Sequence, residues 1–161
     1  MRKMDISNGK GIGVSLFVQG CRAHCKNCFN PETWSFTGGH EWAEESKNTF
    51  FELVSKPYIT RVSILGGEPF EPESIDEVIS ILKEIKDRFP EKQVWVYTGY
   101  KFEQVLSSNM KDALPYIDVL VDGRYVDELN DISLAYKGSS NQRIIDIRKS
   151  LASNEVVLYN I

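Results

Sequence analysis

The stretch TRVSILGGEPFEPESIDEVISILKEIKDRFPEKQVWVY, residues 60–97, indicates the fold of this chain. It begins with a β-prone run from Thr60 to Leu65, which is closed by Gly66-Gly67. From Ser74 to Phe89, apolar residues recur at three- and four-residue steps, which is the periodicity of a helix with one buried face. Val94-Trp-Val-Tyr97 has the composition of a second strand. Strand, helix and strand in this order predict a parallel pair of strands with a covering helix.

The ends of the predicted helix carry their own signals. Ser74 and Glu77 have the spacing of a capping box, in which each side chain accepts from a backbone amide of the first turn. Pro90 follows the last periodic residue and cannot continue a helix. We therefore expect the helix to begin at Ser74 and to end before Pro90.

The same alternation extends in both directions along the chain. Val14–Val18 is a β-prone run, residues 101–107 have a helical pattern, and Ile117–Val121 has the composition of another strand. Further on, Ile144–Ile147 and Val156–Tyr159 are each candidates for a strand. Because the chain is too short for eight βα units, we predict an α/β fold with a mostly parallel sheet, arranged as an incomplete βα barrel.

Length and composition restrict the class of protein. The chain has 161 residues, of which 42% are hydrophobic and 26% charged, so we expect a single globular domain over residues 1–161. A formal net charge of -4 gives no reason to expect nucleic acid or an anionic membrane as a partner. No apolar run approaches the length of a membrane span, and the first residues lack the apolar stretch of a secretion signal.

All three cysteines lie within eight residues, in the order Cys21-Arg-Ala-His-Cys25-Lys-Asn-Cys28. An odd, clustered set argues against a disulfide framework and for a reducing compartment, so we expect a cytoplasmic protein. A cubane iron–sulfur cluster takes four thiolate ligands, and three would leave one iron with an open coordination position. An open position is typical of a catalytic metal site, whereas a structural site closes it.

A zinc site is the alternative use of these cysteines. Zinc usually takes two C-x2-C pairs, or one pair with two histidines, and only His24 and His40 are available here. His24 lies between two of the cysteines and is poorly placed to bind the same ion, so the zinc interpretation needs His40 or an outside ligand. A simple electron-carrier ferredoxin lacks its fourth thiolate.

Other unusual residues follow the predicted strands. In parallel α/β folds the active site lies at the carboxyl ends of the strands, so Cys21, Gly66-Gly67-Glu68, Thr98 and Asp122 are expected at one rim. Two glycines allow close approach of a ligand to the backbone, and Glu68 can accept from a cationic amino group; the same residues also suit an ordinary turn. Asp122 and Arg124, two apart on a strand, are predicted to share a face, which also describes a surface ion pair.

The glycine-rich segment Asn8–Gly13 is not a phosphate-binding loop. It precedes its strand and lacks the Gly-Lys-Ser/Thr ending of that motif. We predict a flexible loop near the site.

Taken together, C-x3-C-x2-C after one strand and Gly-Gly-Glu-Pro after the next resemble the radical S-adenosylmethionine (SAM) enzymes. Longer segments are similar to the activating proteins of anaerobic (class III) ribonucleoside-triphosphate reductase, with matches from about Asp5 to Arg143. These segments are Gly20–Trp34, Val96–Phe102, Val119–Tyr125 and Gly138–Arg143. Asn27 stands where many members of the superfamily have an aromatic residue, while the activating proteins commonly have a small one.

The resemblance implies a set of cofactors and ligands. Cys21, Cys25 and Cys28 would bind a 4Fe–4S cluster, and SAM would chelate the fourth iron through its amino and carboxylate groups. Further SAM contacts would come from Gly66, Gly67 and Glu68, from the Asn27-Cys28-Phe29 backbone, and from Asp122 or Arg124. No catalytic residue beyond these ligands is implied.

The resemblance also implies the reaction and its partners. A 5′-deoxyadenosyl radical made from SAM would take hydrogen from a glycine of the anaerobic reductase, with a low-potential electron donor such as flavodoxin. Two alternatives stay open at this point: an activating enzyme of another glycyl-radical protein, and a non-catalytic zinc-binding interaction module. The first usually carries extra ferredoxin-like cysteines, which this chain does not have.

Overall fold

A computed structural model describes residues 1–161 and shows an α/β fold around one six-stranded sheet. The strand order across the sheet follows the order along the chain. The strands are β1 (Arg2–Asp5), β2 (Gly13–Val18), β3 (Arg61–Gly66), β4 (Gln93–Tyr97), β5 (Val119–Asp122) and β6 (Arg143–Asp146).

The sheet is mixed, with a parallel centre and antiparallel edges. Strands β2 to β5 are parallel to one another, whereas β1 and β6 run antiparallel to β2 and β5. The predicted α/β class and the mostly parallel sheet are confirmed. β1 and β6 lie at opposite edges of the sheet and do not pair with each other, so the sheet is not a closed barrel. Its description as an incomplete barrel stays a prediction.

Four helices connect or follow the strands: α1 (Glu44–Val54), α2 (Ile75–Arg88), α3 (Phe102–Leu106) and α4 (Ile147–Ser153). The first three lie in the crossovers between parallel strands, and a 3₁₀ segment, Asn109–Tyr116, completes the crossover after α3. None of the helices is both long enough and apolar enough to cross a membrane.

Two sequence predictions about local structure are wrong. The Ser74 side chain makes no capping hydrogen bond to α2; instead the Glu71 carbonyl accepts from the amides of Ser74 and Ile75, both at 2.9 Å. A backbone carbonyl of the preceding turn therefore satisfies two amides at the start of α2. Val156–Tyr159 is not a strand, because it meets β6 through a single bridge between Ile145 and Leu158.

The hydrophobic core lies between the sheet and its helices. Alternate residues of the central strands, such as Val62 and Ile64, are buried together with the apolar face of α2. The opposite face of the sheet carries a smaller apolar cluster of Trp95, Val119, Val121 and Ile144, with Tyr97, Tyr136 and Tyr159 packed against it. Tyr97 and Tyr136, which pack on this second face, also line the cavity described next.

Candidate metal and cofactor site

A cavity of about 390 Å³ lies at the carboxyl ends of the parallel strands. It is lined by most of the residues that the sequence singled out, namely Cys21, Cys25, Cys28, Phe29, Gly66, Gly67, Glu68, Thr98 and Arg124. The parallel order of β2 to β5 explains this convergence, because the loops after these strands all leave the sheet at the same edge. Asn27 and Asp122 do not line the cavity.

The cysteine loop is tied to the 3₁₀ turn Pro31–Thr33 that follows it. The Gly20 amide donates to the Thr33 carbonyl at 2.8 Å, and the Cys21 amide donates to the Trp34 carbonyl at 3.1 Å. His24 stacks on Trp34, with 4.3 Å between ring centroids and nearly parallel planes. The imidazole is therefore part of the packing of the loop.

The three thiols are free and partly buried. Burial raises the pKa of the Cys21 thiol above its ordinary value. No group of three or more His, Cys, Asp or Glu side chains is close enough together to hold one metal ion. His40 lines a separate cavity of about 760 Å³ that contains none of the cysteines. A structural zinc ion takes four such donors on one metal, whereas a cubane cluster takes each thiolate on a different iron.

The Gly66-Gly67 pair connects β3 to the cysteine loop. The Gly67 amide donates to the Val18 carbonyl at 2.8 Å, and Gly66 has a φ of 111°, which favours glycine. A Cβ atom on Gly67 would lie 2.5 Å from the Gly20 carbonyl oxygen and 2.8 Å from that of Thr33. Only glycine fits at position 67 without moving the backbone of the cysteine loop.

Glu68 joins the ends of β3 and β4. Its buried carboxylate accepts from the Phe70 amide and the Thr98 hydroxyl, each at 2.9 Å, and from the Gly99 amide at 2.7 Å. Burial nevertheless raises the pKa of Glu68 to about 7, because these hydrogen bonds only partly offset the loss of hydration. The Glu68 side chain therefore lines the cavity and connects the loop after β3 to the loop after β4.

Asp122 is buried away from the cavity, with only 1% of its surface exposed. Its carboxylate accepts from the Phe102 amide at 2.7 Å and from Nε of Arg143 at 3.1 Å. Asp122 and Arg124 do not share a face as predicted, because β5 ends at Asp122 and Gly123 follows in a left-handed conformation with φ 95°. Of the two, only Arg124 lines the cavity.

The segment after β5 covers one side of the cavity, and reasoning from residues alone missed it. Phe29 packs on Tyr125 with 4.9 Å between ring centroids, and a Cβ on Gly138 would lie 2.7 Å from the Phe29 ring. Gln142 fixes the segment, since its side-chain oxygen accepts from the Gly138 amide at 2.9 Å and its nitrogen donates to the Gly123 carbonyl at 3.0 Å. The polar composition of Lys137–Arg143 is that of any surface loop; only the likeness to a family marked it.

Arg22 is a second residue that the sequence did not reveal. Its guanidinium pairs with Glu71 and Glu73 beyond the Gly-Gly-Glu turn and lies 4.5 Å from the centre of the Phe36 ring. It thereby connects the cysteine loop to the turn that precedes α2. An arginine between cysteines carries no sequence signal for such a partner 49 residues away.

The glycine-rich segment Asn8–Gly13 lies beside the cavity, as predicted, and Asn8 lines it. The Asn8 carbonyl accepts from Arg61 and from the Ser63 hydroxyl, both at 2.5 Å. Arg61 is completely buried and also donates to the Asp5 carbonyl, so a buried cation anchors the beginning of this loop.

Known proteins similar to this chain include iron–sulfur domains and activating proteins. The family model for a 4Fe-4S single cluster domain matches residues 7–145. The chain is 37% identical over 143 residues to the anaerobic ribonucleoside-triphosphate reductase-activating protein of Vibrio cholerae, covering 88% of this chain and 92% of the relative. The chain belongs to this activating-protein family. No solved structure matches it.

Other members of the activating-protein family show similar coverage. The protein of that name from Enterobacteria phage T4 is 38% identical over 140 residues, or 87% of each chain. The one from Escherichia coli (strain K12) is 34% identical over 147 residues, covering 90% of this chain and 95% of the relative. The likeness therefore extends over almost the whole of each protein, including the cysteine loop and the segment after β5.

Proposed function

We propose that this protein is a glycyl-radical activating enzyme of the radical SAM type, whose target is a glycine of the anaerobic ribonucleoside-triphosphate reductase. One observation carries the proposal: the three thiols of Cys21, Cys25 and Cys28 line the same cavity as the Gly-Gly-Glu turn. Family membership supports it, because the relatives are named as activating proteins of that reductase.

The residues fit a 4Fe–4S cluster with one iron left for SAM. Cys21, Cys25 and Cys28 supply three of the four thiolate ligands that a cubane cluster takes, and all three line one cavity. A cluster held by Cys21, Cys25 and Cys28 would supply one electron for reductive cleavage of bound SAM, with methionine and 5′-deoxyadenosine as products and the hydrogen atom taken from the target glycine. The chain itself binds and orients these groups and excludes competing reactions.

The Gly-Gly-Glu turn would hold the amino end of SAM. Gly66 and Gly67 present backbone groups without a Cβ, and Glu68 places a buried carboxylate beside them. Backbone groups of Asn27, Cys28 and Phe29 would contact the rest of the cofactor. Of Asp122 and Arg124, we propose Arg124 for a further contact, because it lines the cavity, whereas Asp122 is buried outside the cavity wall.

The surroundings of the reaction follow from the same proposal. We place it in a single radical SAM domain, with the sheet forming part of a barrel whose open side admits a protein substrate. A low-potential donor such as flavodoxin would supply the electron. The cytoplasm suits both a set of free thiols and such a donor.

The experiment is anoxic reconstitution with iron and sulfide, followed by reduction in the presence of SAM and measurement of 5′-deoxyadenosine. We expect the wild type to take up iron and to form 5′-deoxyadenosine. We expect Cys25→Ala to take up less iron and to form less 5′-deoxyadenosine than the wild type. His40→Gln is the matched control: the cluster proposal leaves it unaffected, whereas a zinc site completed by His40 loses metal. A protein that binds zinc, stays colourless and forms no 5′-deoxyadenosine would refute the enzyme function.

A second measurement identifies the target. The reconstituted protein is mixed with the glycyl-radical subunit of the anaerobic reductase or, separately, with a glycyl-radical lyase, and the glycyl radical is measured by electron paramagnetic resonance. We expect a radical only on the reductase. A radical only on the lyase would move the protein to another class of activating enzymes and leave the SAM chemistry intact.

A further inference from the structure

Residues 127–134, here called the rim loop, expose apolar side chains to solvent. Ile132 is completely exposed and Leu129 is 44% exposed. Single exposed apolar residues are common, but these two lie three residues apart in a loop that borders the candidate site. Their position in a loop whose last residue, Leu134, lines the cavity is what requires an explanation.

The rim loop has a defined conformation. Asp131 accepts from the amide and the hydroxyl of Ser133, at 2.8 and 2.6 Å. Asn130 forms a β-bridge with Ser139, and the Leu129 carbonyl accepts from the Ser140 amide at 2.9 Å. A loop that is fixed in this way loses little conformational freedom when a partner covers it.

The rim loop is continuous with the cysteine cavity. Asp127, its first residue, accepts from the side chain of Asn27 in the cysteine loop at 2.8 Å, and Leu134, its last, lines the cavity. Phe29, next to Cys28, is 67% exposed at the same cavity. Any macromolecule that brings an atom into this cavity therefore passes close to the rim loop and Phe29.

The charge of the rim loop selects among partners. Asp127, Glu128 and Asp131 give it three carboxylates and it has no cation of its own. The nearest cationic partner of Glu128 is Lys26, at 3.8 Å and with both side chains largely exposed. A negative surface with an apolar centre fits a protein surface that has an apolar pocket surrounded by basic side chains.

We propose that the rim loop and Phe29 are the surface on which the glycyl-radical subunit of the reductase docks, with Ile132 entering an apolar pocket of that subunit. This inference rests on the proposed function and adds to it the part of this chain that recognises the protein substrate. It requires that Ile132 contributes to binding the subunit and contributes nothing to cleavage of SAM.

The test compares Ile132→Ser with Leu158→Ser in the reconstituted protein. Leu158 is a matched control, because it is 62% exposed, bridges Ile145 of β6 and does not line the cavity. Binding to the purified glycyl-radical subunit is measured by anoxic sedimentation, and 5′-deoxyadenosine formation is measured without the subunit. We expect Ile132→Ser to weaken binding roughly tenfold, as for a central apolar residue of an interface, and to leave 5′-deoxyadenosine unchanged.

A second variant tests the charge. In Glu128→Gln, association with the subunit should be slower at low salt and should depend less steeply on ionic strength, because one steering charge is gone. Glu155→Gln, an exposed acid beyond α4, is the control and should behave as the wild type.

The outcomes separate this inference from the proposed function. If the wild type forms no 5′-deoxyadenosine, the proposed function fails and this inference fails with it. If 5′-deoxyadenosine forms but Ile132→Ser binds the subunit as tightly as Leu158→Ser, only the docking surface is refuted. Weakened binding in Ile132→Ser alone, with full 5′-deoxyadenosine formation, supports both.

Discussion

The side-chain amide of Asn27 donates a hydrogen bond of 2.8 Å to the carboxylate of Asp127, 100 residues further along the chain. Asn27 lies between the second and third cysteines in a left-handed conformation, with φ 55°. Asp127 also accepts from the Tyr125 hydroxyl at 3.0 Å and from Asn130 at 3.2 Å, and these donors lower the pKa of its carboxyl, the Asn27 hydrogen bond most of all. The cysteine loop is thus closed by the segment after β5.

Replacing Asp127 should loosen the cysteine loop. In Asp127→Ala the Asn27 side chain loses its acceptor, and we expect the reconstituted cluster to lose iron to a chelator several-fold faster than in the wild type. Iron release is followed by absorbance under anoxic conditions. Glu128→Gln is the control, because its only ion-pair partner is Lys26 at 3.8 Å. Equal rates in the two variants would show that the Asn27–Asp127 bond does not hold the loop.

Much of this site could be predicted because parallel strands deliver their loops to one edge. The sequence predicts the strands β2, β3 and β4, with the cysteine loop after the first and the Gly-Gly-Glu loop after the second. This order is enough to place Cys21 and Gly67 at the same cavity. Periodicity also located α2 to within a residue at each end. These features depend on local composition and on one topological rule.

The remainder depends on contacts between distant residues, which leave no local pattern. Asp122 resembles a rim residue by position, yet its carboxylate is buried, where it accepts from the Phe102 amide and from Arg143. The partner of Asn27 is an ordinary loop aspartate, Asp127. β1 is only four residues long and mostly exposed, so its alternation is too weak to detect from sequence.

Gly67→Ala should both destabilise the protein and impair the site. Its Cβ would lie 2.5 Å from the Gly20 carbonyl oxygen, so the cysteine loop has to move. We expect a loss of about 2 kcal/mol in the free energy of unfolding, as for an overpacked buried site, together with loss of 5′-deoxyadenosine formation. Gly99→Ala is the control for stability, because its nearest neighbours lie at 3.4 Å. Chemical denaturation of both variants decides whether close packing at position 67 matters.

The raised pKa of Glu68 predicts a pH dependence of stability. The folded protein holds this proton up to about pH 7, whereas the unfolded chain releases it near the ordinary value of 4.5. Between these values the folded state binds more protons, so its stability falls as pH rises; below the lower value the contribution of Glu68 is complete. The full difference is worth roughly 3 kcal/mol.

This effect is measured by urea denaturation of the cluster-free protein at pH 5.0 and 7.5. Other carboxylates also titrate, so the informative quantity is the difference between the wild type and Glu68→Gln. We expect the wild type to lose more stability over this interval than the variant, which has no titrating group at position 68. Parallel pH profiles for the two proteins would mean that Glu68 is ionised in the folded state at pH 5.

Asp122→Asn tests whether this residue supports the fold. The buried carboxylate accepts from the Phe102 amide and pairs with Arg143, which also contacts Glu103 at the surface. Loss of its charge should lower the free energy of unfolding by about 2 kcal/mol, the scale of a buried hydrogen bond to a charged group. Glu103→Gln removes the exposed half of the same arrangement and should cost under about 1 kcal/mol.

The Asp122→Asn variant also separates a structural role of Asp122 from contact with the cofactor. If Asp122 only anchors α3 and Arg143, the concentration of SAM that gives half-maximal 5′-deoxyadenosine formation stays at the wild-type value in Asp122→Asn at a temperature where the variant is folded. A large increase in that concentration, with unfolding unchanged, would instead assign the carboxylate to SAM. The buried position of Asp122, outside the cavity wall, favours the first result.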